Sequence, residues 1–158
     1  MKLNFAKLNP SENMTIIVTS PVPRPQQAAV AEKLMAYGSV FAEQVGFLEE
    51  PCLPGARARL QMMGGEFCGN ASMSLAAWLA HCDGLADGAD RDYPLEVSGA
   101  DGLVNCRILR RGSAYDGTVA VPVPACIRTF PSSGVCFTHT SILIFSFPFS
   151  SVDLCFYW

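Results

Sequence analysis

The sequence predicts an α+β fold: a mixed, barrel-like sheet of about seven short strands around one buried central helix, with a second helix outside. Three observations carry this. Strand-like segments outnumber helical ones, and no regular βαβ alternation is visible. One helical stretch, Asn70–His81 (NASMSLAAWLAH), is apolar on nearly every side, which places it inside a core rather than on a surface.

In chain order, Leu3–Leu8 alternates apolar and polar residues and Thr15–Thr19 (TIIVT) is β-branched, so both read as strands, with the turn-forming NPSEN between them. Pro21–Pro25 (PVPRP) suits neither strand nor helix. It leads into QQAAVAEKLMAYG, an amphipathic surface helix with Val30, Leu34 and Tyr37 on one face and Gly38 as the stop. Val40–Leu48 and Ala58–Met62 read as strands separated by the turn PCLPGA. The central helix stops at Asp83-Gly84, and a polar connection follows. Leu95–Ser98, Leu103–Arg111 and Gly117–Val123 complete the strands, with hairpin-like turns at GADG and SAYDG.

The length of 158 residues fits one domain, and a chain that is 50% hydrophobic has enough apolar surface to fold. A formal net charge of -3 argues against a nucleic-acid partner. The average hides a break near Arg128. Residues 1–128 read as the folded domain, while Thr129–Trp158 holds one charged side chain, Asp153, and is rich in Phe and Ser (FSFPFSS). Two readings of this tail stand: a native extension that completes the sheet or docks on another chain, and an out-of-frame product. In either case its apolar residues favour self-association. The segment Ser141–Phe149 is too short and too interrupted to span a membrane, so no membrane partner is expected.

The N-terminus lacks the apolar run of a secretory signal, which points to the cytoplasm. Seven cysteines is an odd count with no C-x-x-C pair, so neither a disulfide framework nor a zinc site is expected. Six of them (Cys52, Cys82, Cys106, Cys126, Cys136 and Cys155) read as small buried hydrophobes. Cys68 is different. In Met62–Ser74 (MMGGEFCGNASMS) it stands between a Gly-rich turn and the start of the central helix, where unpaired N–H groups would lower its pKa and favour thiolate. Gly69, lacking a side chain, lets an anion approach the backbone N–H groups of the first turn, so Gly69 and Asn70 form a candidate carboxylate cradle. Glu66 either perturbs the thiol or faces solvent. His81 reads as a partner of the helix C-terminus, and Trp78 as core.

The segment GGEFCGNA, followed by a small-residue helix, resembles the catalytic segment of the diaminopimelate-epimerase-like family of cofactor-independent amino-acid racemases and epimerases. Two further segments are similar in order and spacing: KLNPSENMTIIV (Lys7–Val18) and EQVGFLEEP (Glu43–Pro51). The resemblance implies half of a two-domain fold, no pyridoxal phosphate or other cofactor, and an amino acid as the small-molecule partner. It gives Cys68 the role of α-proton base, Gly69 and Asn70 the substrate carboxylate, and Asn13 and Gln44 polar contacts to the rest of the substrate. Gln61 falls near a position facing the substrate's distal group. The wording before the cysteine is closer to the histidine racemase branch, which feeds opine-type metallophore synthesis. A diaminopimelate epimerase homologue and a non-catalytic small-molecule-binding remnant are the alternatives. Members of the family carry a second catalytic cysteine in a second domain, and no cysteine of this chain lies in a matching context. The expectation is a truncated half with one base, inactive or limited to hydrogen exchange.

Overall fold

The computed structural model describes residues 2–121 and, as backbone, residues 144–153. Nine elements lie in the first stretch. They are β1 (Phe5–Pro10), β2 (Thr15–Val18), α1 (Arg24–Met35), β3 (Gln44–Glu49), β4 (Ala58–Met62), α2 (Gly69–Cys82), β5 (Asp90–Val97), β6 (Leu103–Arg111) and β7 (Ala114–Ala120). The α+β class and the buried helix are as the sequence predicts. The seven strands neighbour one another in chain order and wrap around α2 as a mixed sheet that is not itself closed as a barrel. Between its edges lies β8 (Ile144–Asp153), antiparallel to both β7 and β1. Residues 122–143 and 154–158 lie outside the described residues, and with them Cys126, Cys136, Cys155 and most of the predicted tail.

Two strand pairs, β2–β3 and β4–β5, are parallel, each bridged by one helix. Sequence periodicity does not show this, because it reports faces and not strand direction. The two crossovers put α1 and α2 on opposite faces of β2. Ile17 joins α2 residues Met73, Leu75 and Ala76 in one core, while Ile16 and Val18 pack with Val30, Ala31 and Leu34 of α1 in another. A strand covered on both faces can be apolar at every position, which accounts for the unbroken β-branched run. Fully burying an aliphatic side chain such as Ile17 or Leu75 stabilises the fold by about 1.5–3 kcal/mol.

Several predicted boundaries shift for local reasons. The first helix begins at Arg24, inside PVPRP, because Pro25 falls in the first turn where an N–H has no helical partner to lose. It ends at Met35, since Ala36 is extended (φ -55°, ψ 134°), so Tyr37 leaves the helical face and is 89% exposed. The strand predicted from Val40 starts only at Gln44, after Phe41 takes a left-handed φ of 59°. β5 begins at Asp90 rather than Leu95, lengthening a hairpin in which Asp90 forms an ion pair with Arg107. In β6–β7 the turn is Gly112-Ser113, and Tyr115–Gly117 lie within the strand.

The end of α2 is where the sequence puts it. The N–H of Gly84 donates to His81 O at 3.1 Å and that of Leu85 to Ala80 O at 3.0 Å, with Gly84 at φ +65° and Leu85 buried. This is a Schellman closure.

Candidate active site

Cys68 is the N-cap of α2, with an extended backbone (φ -135°, ψ 113°) and its Sγ accepting the N–H of Ala71 at 3.4 Å. Sulfur is a weak acceptor where caps ordinarily use an oxygen, so the helix start is reinforced elsewhere. The Ser72 N–H and hydroxyl both donate to Cys68 O, at 3.0 and 2.7 Å. On the approach to the helix, the buried Ser98 hydroxyl donates to Glu66 O at 2.9 Å while accepting the Met62 N–H at 2.9 Å. The end of β5 therefore holds both sides of the Gly64-Gly65 turn.

The parallel β2–β3 pair brings the remaining candidates to this helix end, because Thr15 and Gln44 are direct register partners. The thiol donates to Gln44 Oε1 at 2.8 Å. Gln44 Nε2 donates to Thr15 Oγ1 at 2.7 Å and to Asn13 Oδ1. Asn70 Nδ2 donates to the same Asn13 Oδ1 at 3.0 Å, and Asn13 Nδ2 donates to Glu43 Oε2 at 2.5 Å. Asn13, Gln44, Cys68, Gly69 and Asn70 thus converge on one site. Thr15, Glu43, Ser72 and Ser98 belong to it as well, and no motif singles them out.

The expected lowering of the Cys68 pKa is corrected by the structure. Burial pushes the thiol up, and this outweighs the N–H groups of Ala71 and Asn70 that pull it down, while the charge of Glu66 also raises it. The helix start acts in the predicted direction, but desolvation acts more strongly. Beside the thiol lies a cavity of about 370 Å³ lined by Phe67, Cys68, Gly69, Asn70, Met73 and Val119. Its polar part is the helix start and the rest is apolar, a setting suited to a small ligand with an anionic head.

The other candidates fall elsewhere. Gln61 is engaged with Arg59 and the carbonyl of Met62. His81 lies 3.3 Å from the Tyr115 hydroxyl near the far end of α2, and Trp78 is only partly buried. Of the described cysteines other than Cys68, only Cys106 is buried; Cys52 and Cys82 are exposed, on a loop and at a helix end where no core covers them. Among the described residues no cluster of His, Cys, Asp and Glu could hold a metal, and no helix is long and apolar enough to cross a membrane. A larger cavity of about 860 Å³ opens at the C-terminal end of α2, far from this convergence of polar groups.

Comparison with known proteins bears on the fold and the family. In fold, the chain is similar to a hydroxyproline epimerase from Agrobacterium vitis (TM-score 0.55, 13% identity, covering 75% of this chain and 42% of that one). It is also similar to a methylitaconate-delta-isomerase (TM-score 0.58, 8% identity, covering 75% and 72%). In sequence it is 42% identical over 107 residues to a histidine racemase of Staphylococcus aureus, covering 67% of this chain and 38% of the relative. A histidine racemase of Fusobacterium nucleatum is 33% identical over 123 residues, covering 77% and 44%. The chain thus spans about two-fifths of the length of these curated relatives. The family described as the histidine racemase CntK N-terminal domain matches residues 2–148, running past Arg128 where the composition changes. On that match and these identities, the chain belongs to the histidine racemase N-terminal domain family.

Proposed function

We propose that this chain supplies one half of a cofactor-independent amino-acid racemase site, with Cys68 as one of its two proton-transfer groups and histidine as the substrate. The observation that carries the reading is the convergence of the Cys68 thiol, the α2 N-terminus and the Asn13–Gln44–Asn70 amides beside a small cavity. The identity to histidine racemases supports the choice of amino acid. Diaminopimelate, the earlier alternative, has no comparable support.

In this reading the substrate carboxylate lies against the N–H groups at Gly69 and Asn70, where the helix start favours negative charge. The thiolate of Cys68 takes the α-proton, and the electron pair left on the α-carbon delocalises into the carboxylate as it gains enolate character. Those same N–H groups then stabilise the charge as it develops. Asn13 and Gln44 provide polar contacts to the remaining substrate groups. Cys68 reaches one face of the α-carbon, so alone it returns a proton to the face from which it came. Inversion requires a second acid on the opposite face.

Incubating the chain with L-histidine in D2O and following mass and chirality tests this. The expected result is deuterium at the α-carbon without D-histidine. Because burial raises the thiol pKa and the abstracting species is the thiolate, the exchange rate should rise with pH into the alkaline range. Rapid formation of D-histidine by the isolated monomer would overturn the one-base account, and no exchange at any pH would leave a binding domain instead.

A further inference from the structure

Glu43 stands outside the catalytic reading, yet its carboxylate ends a hydrogen-bonded chain that begins at the reactive thiol. We propose that Glu43 is a positioning residue, which orients the side-chain amides of Asn13 and Gln44 so that Cys68 is held as a hydrogen-bond donor, the thiol form, in the free site. The inference rests on the racemase reading only for its purpose, since the orientation follows from donor and acceptor chemistry alone.

A carboxylate only accepts, so the Asn13 amide must turn its NH2 toward Glu43, at 2.5 Å. Asn13 Oδ1 then faces the opposite way and can only accept, which it does from the NH2 groups of both Gln44 and Asn70. With its NH2 so committed, and also shared with Thr15 Oγ1, Gln44 presents its carbonyl oxygen to Cys68 at 2.8 Å. An acceptor at that point favours S–H over S⁻. The Thr15 hydroxyl conforms, because it donates to the Asn13 backbone carbonyl at 3.2 Å and so offers its lone pair to Gln44. The position of Glu43 is itself fixed by its backbone N–H, which donates to Met14 O at 2.9 Å.

Each amide has two orientations of nearly equal shape; the Glu43 carboxylate selects that of Asn13, and through it, together with the Thr15 lone pair, that of Gln44. If the chain inverted, Gln44 would offer its NH2 to the sulfur and favour thiolate. The other groups acting on the thiol are Glu66, which opposes thiolate, and the N–H groups of Asn70 and Ala71, which favour it. Met73 and Val119 contribute only apolar surface to the adjoining cavity.

The test is the pH dependence of iodoacetamide alkylation at Cys68 in the full chain, read on the Cys68 peptide by mass spectrometry so that the exposed cysteines do not interfere. Glu43→Gln can present either oxygen or NH2 to Asn13 and so releases the chain. Its Cys68 should titrate lower, which reads as roughly tenfold faster alkylation at neutral pH. Glu43→Asp should retain the parent profile. Asn13→Ala should lower the titration as Glu43→Gln does, and Glu43→Gln added to Asn13→Ala should change nothing more. An unchanged profile in Glu43→Gln overturns the proposal. So does an equal shift with and without Asn13, which would mean a through-space charge effect. Glu43 is exposed, so these substitutions leave the core intact. No amino acid is present in this titration, so its outcome is independent of whether histidine undergoes exchange.

Discussion

The two ends of α2 each carry a cysteine beside a cavity, and they differ in the groups that surround it. At the N-terminal end the cavity is about 370 Å³, Cys68 is the helix cap, and Gln44 and Asn13, both distant in sequence, hydrogen-bond to Cys68 and Asn70 there. At the C-terminal end the cavity is about 860 Å³, Cys82 is exposed, and the last carbonyls are closed off by the Schellman bonds. Its neighbours are ion pairs of Asp83 with Arg57 at 3.0 Å and Arg91 at 3.3 Å. The larger volume accompanies the poorer chemistry. A helix start offers unpaired donors to an anion, whereas a closed helix end offers a negative dipole that opposes thiolate.

The strongest way to break this comparison is to remove each thiol in turn. Cys68→Ala should reduce α-hydrogen exchange of histidine by at least about 100-fold, the scale of a lost proton-transfer group. Cys82→Ala should leave exchange within about twofold, as expected of an exposed position away from the site. Deuterium uptake measured by mass spectrometry on both variants decides it. Equal losses would mean that the C-terminal cavity takes part.

A pair of glycines sharpens the contrast on stability. Gly99, at φ +71°, lies against the segment entering α2, and an added Cβ would fall 2.4 Å from the Phe67 backbone nitrogen. Gly84, at φ +65°, closes the other end and has open space around the corresponding position. Both alanine variants incur left-handed strain of about 1–2 kcal/mol. Gly99→Ala adds a backbone collision, so its total cost should reach roughly 2–4 kcal/mol. Urea unfolding of the two variants measures the difference. Only Gly99→Ala should also alter the alkylation rate of Cys68, because the collision displaces the residues that lead into it.

What the sequence reveals divides along similar lines. The burial of α2 is legible because its apolar residues cover every side, and the double-sided core around β2 because Thr15–Val18 contains no polar break beyond Thr15. The place of Cys68 follows from glycines before a helical pattern. Asn13 and Gln44 are identified by family resemblance and not by spacing, since 31 residues separate them and only the β2–β3 register joins them. Thr15, Ser98 and Glu43 are invisible for the same reason: their roles depend on partners brought close by strand pairing. The direction of the Cys68 shift is not legible, because a one-dimensional pattern shows the helix start but not the depth of burial that opposes it.

The smallest effect separates the two ends electrostatically. Although the residue is exposed, partial desolvation pushes the Cys82 thiol up first, the Asp83 charge raises it further, and Arg57 pulls it down. Asp83→Asn removes that charge while keeping a side chain of similar shape at the helix end. Its ion-pair partners Arg57 and Arg91 are about half exposed, so the loss of stability should be no more than about 1 kcal/mol. The chemical effect has a definite sign: without the neighbouring negative charge, Cys82 should titrate lower and alkylate faster at a fixed, mildly alkaline pH. Cys68 should not respond, because a helix of 14 residues separates the two thiols by about 20 Å, beyond the screening length of about 8 Å at physiological salt. Following both peptides in one alkylation series makes Cys68 the internal reference for Cys82. A shift at Cys68 equal to that at Cys82 would mean that the two ends of α2 are coupled, and the contrast in their chemistry would then have to be sought in shared burial rather than in local donors.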